Sequence, residues 1–266
     1  MNNAEIYCLC LHDHLLEKVK SLNYIPVGLG KNEFSPGWLK DNTGKNITEK
    51  NQFYGEYSFH YWLWKNKLEY IDPDIWIGFC AYRRFWGNNQ NIKSSNISKN
   101  FLKEIPEEWD DYDVILGDDI HLDTIKWMKV LKYGKLAFLK YPKAIFKSKR
   151  NIKFQFDLFH GVGILDKAIS LLDQENKKDF NDYVNKNTSY NQGNMFITKS
   201  KTLMKEYYNT IFKWLADCEK VFGYDLKEYN KVRLYAFLAE RFLPYWFNKN
   251  AKVLKWPIIF HDLNKN

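Results

Sequence analysis

The sequence predicts an α/β fold in which a mixed, mostly parallel sheet carries helices on both faces and is followed by a helical C-terminal region. Short apolar runs of strand length alternate with segments of helical periodicity, which is typical of α/β proteins rather than of bundles or sandwiches. The 266 residues are 45% hydrophobic and 18% aromatic, with 13 Gly and 7 Pro, and this excludes a disordered or low-complexity chain. Because neither a repeat nor a linker interrupts the pattern, we expect a single domain, residues 1–266.

The predicted strands are five short apolar runs. They lie at residues 6–11, 24–30, 76–80, 112–116 and 194–198. The predicted helices have apolar residues at helical spacing, at residues 15–22, 54–68, 164–172, 203–221 and 235–247, the last with Asp225 as a cap. Residues 31–51 are polar and aperiodic, so we expect a loop there.

Several classes of protein are excluded by what the sequence lacks. No run approaches the ~18 consecutive apolar residues of a membrane-spanning helix, and the first residues show neither a basic leader nor a small-residue cleavage site. We therefore expect a cytoplasmic protein. The four cysteines, Cys8, Cys10, Cys80 and Cys218, form no CxxC pair. Their apolar surroundings predict small core residues rather than a zinc site or a disulfide framework.

The positive charge is concentrated in one segment. Residues 124–156 contain ten basic and no acidic residues, so that without them the formal charge of +8 becomes −2. Lys126, Lys129 and Lys132 have the spacing of one helix face, with Trp127 beside them. This pattern fits a site that docks on phosphate, diphosphate or an anionic membrane at the inner face of the cytoplasmic membrane. One alternative is a solvated helix face. Another is a nucleic-acid site, which is disfavoured because no RNP, KH, finger or helix-turn-helix signature accompanies the charge.

Polar residues follow the predicted strands, at the ends where a parallel sheet binds its ligands. His12 follows the first strand, Gly28 lies at the end of the second, and Tyr82, Arg83 and Arg84 follow the third. A guanidinium keeps its charge, and two adjacent ones fit a phosphate in bidentate fashion. The sequence therefore predicts a phosphate site at Arg83 and Arg84, with a solvated surface pair as the alternative.

Two further groups could contact a nucleotide sugar. The loop residues Asp41, Asn46 and Asn51 carry side chains that bond sugar and ribose hydroxyls, although a plain capped loop has the same composition. Glu56, near the start of the next helix, is either a carboxylate that compensates the helix dipole or a ligand contact. Asp118 and Asp119 follow the fourth strand and could hold a divalent ion on a diphosphate, or form a turn or a cap.

Seven stretches, taken together and in order, resemble the uncharacterised-domain family of capsular and exopolysaccharide glycosyltransferases. They are YIPVGLG, DNTGKNITEKNQFYGEYSFHYWLWKN, IGFCAYRRFW, YDVIL, FHGVGILDKAI, NQGNMFITKS and RLYAFLAERFLPYW. The resemblance covers about residues 6–247. The family usually has His immediately before the Tyr-Arg-Arg motif, where this chain has Ala81, so any role of that His is absent or displaced here.

The resemblance implies a GT-A-like, Rossmann-type transferase fold, with a nucleotide-sugar half at about residues 1–120 and an acceptor half at 121–266. In GT-A enzymes a metal-binding Asp-x-Asp motif occupies the place of IGFCAYRR, so we expect Arg83 and Arg84 to replace the metal and no cofactor to be required. Mn²⁺ or Mg²⁺ on Asp118 and Asp119 is the alternative. The implied candidates for the base that deprotonates the acceptor are Asp166, His160 and Glu240. The implied acceptor contacts are Asn194, Met195 and Arg233.

The expected function is transfer of a sugar from a nucleotide donor to a growing capsular polysaccharide or lipopolysaccharide. The resemblance favours a UDP-linked donor, and in some members a galactofuranose-type sugar moved with inversion. The expected partners are this donor, a saccharide acceptor carried on lipid diphosphate and, peripherally, an anionic membrane, but no nucleic acid. The alternative is a non-catalytic subunit that binds a nucleotide sugar or carbohydrate in a polysaccharide assembly system.

Overall fold

A computed structural model describes residues 3–90, 100–123, 135–227 and 229–265. Within these ranges the chain forms a nine-stranded mixed sheet, a separate two-stranded sheet, and helices that pack on both faces of the large sheet. This confirms the predicted fold class. None of the described helices combines the length and the apolar character that crossing a bilayer requires.

The large sheet is built around a parallel centre. Strand β1 (Ala4–Cys10) lies between β2 (Ile25–Gly28) and β4 (Trp76–Ala81), and it runs parallel to both. Strand β3 (Leu39–Lys40) continues this side beyond β2. The carboxyl ends of β1, β2 and β4 therefore meet at one edge, where ligand sites of such sheets form.

The other half of the sheet makes it mixed. Strand β9 (Phe196–Thr198) is antiparallel to both β4 and β6 (Val114–Gly117), and β10 (Val253–Trp256) is parallel to β6. The remaining strands form short antiparallel pairs: β5 (Arg84–Trp86) with β11 (Ile258–Phe260), and β7 (Asp119–His121) with β8 (Ser189–Asn191).

The described helices fall into two groups along the chain. The N-terminal group is α1 (Leu16–Lys20), α2 (Asn51–Tyr54) and α3 (Tyr57–Asn66). The C-terminal group is α4 (Lys135–Lys140), α5 (Ile152–His160), α6 (Ile164–Ser170), α7 (Gln174–Lys186), α8 (Lys201–Phe222), α9 (Tyr229–Val232) and α10 (Leu234–Asn250).

The side chains of β1 separate two hydrophobic cores because successive residues of a strand point to opposite faces. Tyr7 and Leu9 pack into the core that α3, α8 and α10 cover. Ile6, Cys8 and Cys10 pack into the opposite core. All four cysteines are buried free thiols.

Three predicted details were wrong. The single helix predicted at 54–68 is broken into α2 and α3 at Gly55, which adopts a φ of +54°. Asp225 does not cap the last long helix, since α10 begins after Arg233 and has no side-chain cap. Helices α5 and α7 were missed, although Asn151 and Asp173 cap them through hydrogen bonds to Phe154 and Asn176 N–H groups.

Candidate functional site

Two adjoining cavities lie at the carboxyl edge of β1 and β4. The N-terminal cavity has a volume of about 560 Å³ and is lined mainly by residues before 85, and the C-terminal cavity, of about 420 Å³, mainly by residues after 150. Six residues line both cavities: Leu9, Glu56, Ala81, Arg83, Arg84 and Arg233. We call the region of these shared residues the junction. Of the residues predicted from the strand ends, Arg83 and Arg84 lie there.

The sharp reversal between β4 and β5 positions the two arginines. Ala81 ends β4 and pairs with Arg84, the first residue of β5, so Arg83 is in the connecting turn. The guanidinium of Arg83 lies over the Tyr82 ring at 5.0 Å. In the described part of the chain neither arginine forms an ion pair. No carboxylate of the described residues therefore lies within ion-pair distance of either guanidinium at the junction.

The C-terminal segment of the chain forms hydrogen bonds with the backbone of this turn. The backbone N–H groups of His261 and Leu263 donate to the carbonyl oxygens of Arg83 and Tyr82, at 3.2 Å each. His12 packs edge-on against the Tyr82 ring at 5.3 Å. His12 thus contacts a residue of the N-terminal cavity without lining it.

Glu56 also lines the junction. Its Oε2 lies 3.0 Å from Arg233 Nη2 and 3.5 Å from the Asn194 amide nitrogen. Burial alone would raise the pKa of Glu56, but the Arg233 charge and these hydrogen bonds outweigh it and lower the pKa. Gly55 makes the ion pair sterically possible, because a Cβ atom at that position would collide with the Arg233 guanidinium.

Glu240 is the carboxylate of the C-terminal cavity. Its Oε1 accepts a 2.8 Å hydrogen bond from the Gly193 N–H, and its Oε2 pairs with Arg241. Arg241 is itself fixed by the Gln155 side-chain oxygen at 2.8 Å and by the Tyr190 ring at 4.5 Å. The side chain is therefore buried and held in one orientation.

Three other predicted residues line the C-terminal cavity. His160, at the end of α5, stacks on Phe237 with ring centroids 4.2 Å apart. Asn194 and Met195 lie just before β9. The Oδ1 atom of Asn194 is buried with no hydrogen-bond partner among the described residues, which is uncommon for a buried acceptor.

Of the three predicted loop residues Asp41, Asn46 and Asn51, Asn51 lines the N-terminal cavity. Its amide donates to Gly55 O at 3.0 Å and to Ser58 Oγ at 2.8 Å, so the helix break orients it. Asp41 is fully buried and accepts hydrogen bonds from Thr48 and Ser58 hydroxyls. Among the described residues, Asn46 bonds only within its own loop, at Gly44 O and Thr48 N–H. Asp41 therefore ties the loop to α3, Asn46 bonds inside the loop, and neither lines either of the two cavities.

Gly28 has a packing role within the fold. A Cβ atom at this position would lie 2.6 Å from the Phe34 ring. Because glycine has no side chain, the Phe34 ring fits against Gly28. Gly28 lines neither of the two cavities.

Asp166 is also away from both cavities. It lies in the first turn of α6 and forms ion pairs with Lys140, at 2.9 Å, and with Lys153. Partial burial would raise its pKa, but the hydrogen bonds and charges of the two lysines lower it. Because both partners are lysines of the neighbouring helices, the geometry is that of an anchor between α4, α5 and α6.

The acidic pair after β6 also lies outside the cavity linings. Asp119 pairs with Lys255, and burial together with the neighbouring Asp119 charge raises the pKa of Asp118. Among the described residues no group of three or more His, Cys, Asp or Glu side chains is arranged to hold a metal ion. Lys126, Trp127, Lys129 and Lys132, the predicted docking residues, lie outside the described residues.

Sequence reasoning missed several residues of the C-terminal cavity. They are Gln155, Tyr190, Gln192, Phe237 and Arg241. Gln155 lies in α5, which was not predicted, Phe237 lies in the predicted C-terminal helix, where it resembles a packing residue, and Tyr190 lies in a three-residue strand. For Arg241 the sequence does carry a signal, since an arginine directly after Glu240 is a candidate ion-pair partner of that carboxylate.

The chain is thus an α/β protein with two adjoining, arginine-lined cavities at the carboxyl edge of a mixed sheet. Residues 5–251 match the family model described as Domain of unknown function (DUF4422), and the chain belongs to that family. This confirms the family indicated by the motifs. No match was found among curated proteins.

The chain is also similar to a solved structure, the apo form of the bifunctional glycosyltransferase WbbM. The identity is 19% and the TM-score 0.68, over 97% of this chain and 45% of that one. This chain therefore spans less than half the length of WbbM. At this identity the likeness shows a shared fold.

Proposed function

We propose that this protein is a glycosyltransferase that uses a nucleotide-diphosphate sugar and neutralises the leaving diphosphate with Arg83 and Arg84. The observation that carries the proposal is that both arginines line both cavities and, within the described chain, form no ion pair. Fixed cations placed where negative charge develops stabilise a transition state without reorganisation. The fold shared with a bifunctional glycosyltransferase supports the same reading.

In this proposal the N-terminal cavity receives the nucleotide. It lies at the ends of β1, β2 and β4, where α/β sheets bind nucleotides, and Asn51 and Tyr82 provide an amide and an aromatic ring in its wall. The sugar then lies at the junction and the acceptor in the C-terminal cavity. A UDP-linked donor, of galactofuranose type in particular, and a capsular or lipopolysaccharide acceptor on lipid diphosphate are the classes we propose.

Glu240 is the base in the proposed reaction. A carboxylate has about four acceptor positions, and the Gly193 N–H and Arg241 use two, which leaves room for an acceptor hydroxyl. Glu240 takes the hydroxyl proton as the oxygen forms its bond to the anomeric carbon. The bond from that carbon to the diphosphate oxygen breaks with inversion, and the electron pair leaves on the diphosphate beside the arginines. His160 is the second candidate for the base.

The test begins with a thermal-shift screen of nucleotide sugars, because a ligand at 100 times its Kd adds about 2.7 kcal/mol to stability. With the donor identified, transfer and donor hydrolysis are measured for Arg83→Ala and Arg84→Ala. We expect each to lose at least ~100-fold in kcat. Arg83→Lys and Arg84→Lys keep the charge but not the bidentate geometry, so we expect intermediate rates. Lys103→Ala, an exposed cation elsewhere, is the control.

Two results would contradict the proposal. Arginine variants with wild-type rates would remove the residues from the chemistry. Loss of transfer with EDTA and its recovery with Mn²⁺ would favour the alternative in which Asp118 and Asp119 hold a metal.

A non-catalytic binding protein is the second candidate, and one observation favours it. Ala81 lines both cavities, at the position where the resembling family usually has His. If the wild type binds a nucleotide sugar but neither transfers nor hydrolyses it, and Ala81→His gains either activity, this second function is the correct one.

A further inference from the structure

The segment from residue 139 to residue 149 combines exposed apolar and basic side chains. The side chains of Leu139, Ile145 and Phe146 are 78%, 61% and 67% exposed. Among the described residues, the other large apolar side chains that are at least 61% exposed are Tyr70 and Phe260, which lie outside this segment. Lys143, Lys147 and Lys149 are exposed in the same segment. We call these six residues the apolar-basic surface.

This surface is held in place by a buried arginine. Arg150 is 4% exposed, and its guanidinium donates to the carbonyl oxygens of Asp123 at 2.7 Å, Ala144 at 3.0 Å and Ile145 at 3.5 Å. Burying a charged group requires such a set of partners. The backbone that presents Ile145 and Phe146 to solvent is therefore fixed from inside, so their exposure is a built feature of the fold.

A second set of contacts ties the surface to the proposed catalytic region. Lys140 and the Tyr141 hydroxyl bind Asp157 Oδ2 at 3.0 and 2.8 Å, and Asp157 lies on α5. The same helix provides Gln155, Phe159 and His160 to the C-terminal cavity. The apolar-basic surface is thus attached to one side of a helix whose other residues line that cavity.

A third cavity adjoins the surface and is also cationic. It has a volume of about 510 Å³, and its lining has four lysines, hydroxyl and amide groups but no carboxylate. Lys140 and Lys186 form ion pairs with aspartates outside the lining, so the charge of the cavity comes from Lys143 and Lys149. A concave site of this charge fits a phosphate-bearing headgroup. The neighbouring exposed Ile145 and Phe146 fit the acyl region beside such a headgroup.

We propose that the apolar-basic surface docks the protein on an anionic membrane. Leu139, Ile145 and Phe146 enter the boundary between headgroups and acyl chains, Lys143, Lys147 and Lys149 bind lipid phosphates, and the third cavity receives a headgroup. Apolar area and basic charge together are needed for stable binding of a protein that lies on a bilayer. This inference stands on its own whether or not the cavities transfer a sugar, because its readout is binding to vesicles.

The test is flotation of the full chain with vesicles of two parts phosphatidylethanolamine to one part phosphatidylglycerol. Each lysine near an anionic surface contributes about fivefold in affinity, so Lys143→Gln/Lys147→Gln/Lys149→Gln should lose on the order of a hundredfold. Ile145→Ser/Phe146→Ser should lose at least about tenfold. The wild type should bind phosphatidylcholine vesicles weakly, and added salt should weaken binding to the anionic ones.

Matched controls separate the surface from general charge and hydrophobicity. Lys103→Gln/Lys178→Gln/Lys213→Gln removes the same charge from exposed positions elsewhere, and Tyr70→Ser removes a ring that is 87% exposed. Both controls should bind as the wild type does. All changed side chains are exposed, so circular dichroism should show folded variants.

Three outcomes would overturn the proposal. One is equal loss in the control triple variant, which would show that only net charge matters. Another is wild-type binding by Ile145→Ser/Phe146→Ser, which would show that no side chain enters the bilayer. The third is a single-stranded oligonucleotide that displaces the protein from vesicles and binds the serine variant as tightly as the wild type, which would identify a nucleic-acid surface.

Discussion

The Arg233 guanidinium lies 3.0 Å from the Glu56 carboxylate, at the junction where the N-terminal and C-terminal cavities meet. The two residues are far apart in sequence, and Gly55 allows them to approach. Arg83 and Arg84 line the same junction, and among the described residues neither of them forms an ion pair. Glu56 therefore pairs with Arg233, and Arg83 and Arg84 remain available to bind an anionic ligand.

Changing Gly55 should break this relationship. Gly55→Ala places a methyl group against the Arg233 guanidinium and imposes an unfavourable φ of +54° on a residue with a Cβ atom. We expect a loss of at least about 1 kcal/mol in unfolding free energy, the usual cost of a forced left-handed residue, and weaker donor binding. Urea unfolding and thermal shift measure the two effects. The control is Gly163→Ala, also at positive φ but with no neighbour within 4 Å of the added carbon: it should lose stability and keep donor binding.

The pH dependence of stability should report the lowered pKa of Glu56. A carboxyl with a depressed folded-state pKa stabilises the fold above the unfolded pKa of about 4.3, and the stabilisation is lost as pH falls through the folded value. The difference in unfolding free energy between wild type and Glu56→Gln should thus be constant above about pH 5 and shrink toward pH 3. Urea titrations over that range measure it. A difference that grows on acidification would mean that Glu56 is not paired as described.

Asp166 and Glu240 should respond differently to removal of their charge. Asp166→Asn disrupts half-exposed pairs with Lys140 and Lys153, which are worth about 1 kcal/mol or less, and should leave kcat within a few-fold. Glu240→Gln removes the proposed base and should lower kcat at least ~100-fold with little change in donor affinity. Steady-state kinetics of the two variants decide between them. The reverse order of effects would make Asp166 the base.

His60 should make the protein sensitive to acid. The side chain is fully buried, with Nδ1 2.9 Å from the Tyr208 hydroxyl, and burial lowers its pKa to about 3. Between pH 6.5 and 3 the unfolded chain binds the proton that the folded chain excludes. Stability should therefore fall by roughly 1.4 kcal/mol per pH unit in the lower part of that interval. His60→Gln should be less stable at pH 7 but have a flatter profile, and the exposed His121→Gln should keep the wild-type slope.

Gly28→Ala tests a packing role against a ligand role. The added methyl group would press on the Phe34 ring, and we expect a loss of about 1–3 kcal/mol, as for other overpacked cores. Phe34→Leu in the same chain should recover part of that loss. Donor affinity should be the same in all folded variants; a selective loss of affinity in Gly28→Ala would restore the expectation that a ligand approaches Gly28.

The sequence predicted the strands and motifs that depend only on residues close together in the chain. The strand runs around Ile6 and Trp76 are apolar enough to be read directly, and the Tyr82-Arg83-Arg84 group follows its strand as the sheet rule requires. Helix α5 was missed because its residues lie in the Lys-rich segment, where the charge pattern obscures the Asn151 cap. Gly55 was missed as a break because the helical periodicity continues through it in the sequence, and its φ of +54° is visible only in the folded chain.

The sequence by itself determined the α/β class, the family and the presence of two adjacent arginines at a strand end. Those properties depend on residue order over short distances, which apolar periodicity and local motifs record. Only the tertiary structure decided which polar residues face a cavity. Asp41, Asp166 and Glu240 are all carboxylates that the sequence offered as candidate site residues, yet the first is buried among hydroxyls, the second is paired with lysines, and the third lines the C-terminal cavity. Hydrogen-bond and ion-pair partners come from distant segments, so the role of a charged group is set by the packing of the folded chain.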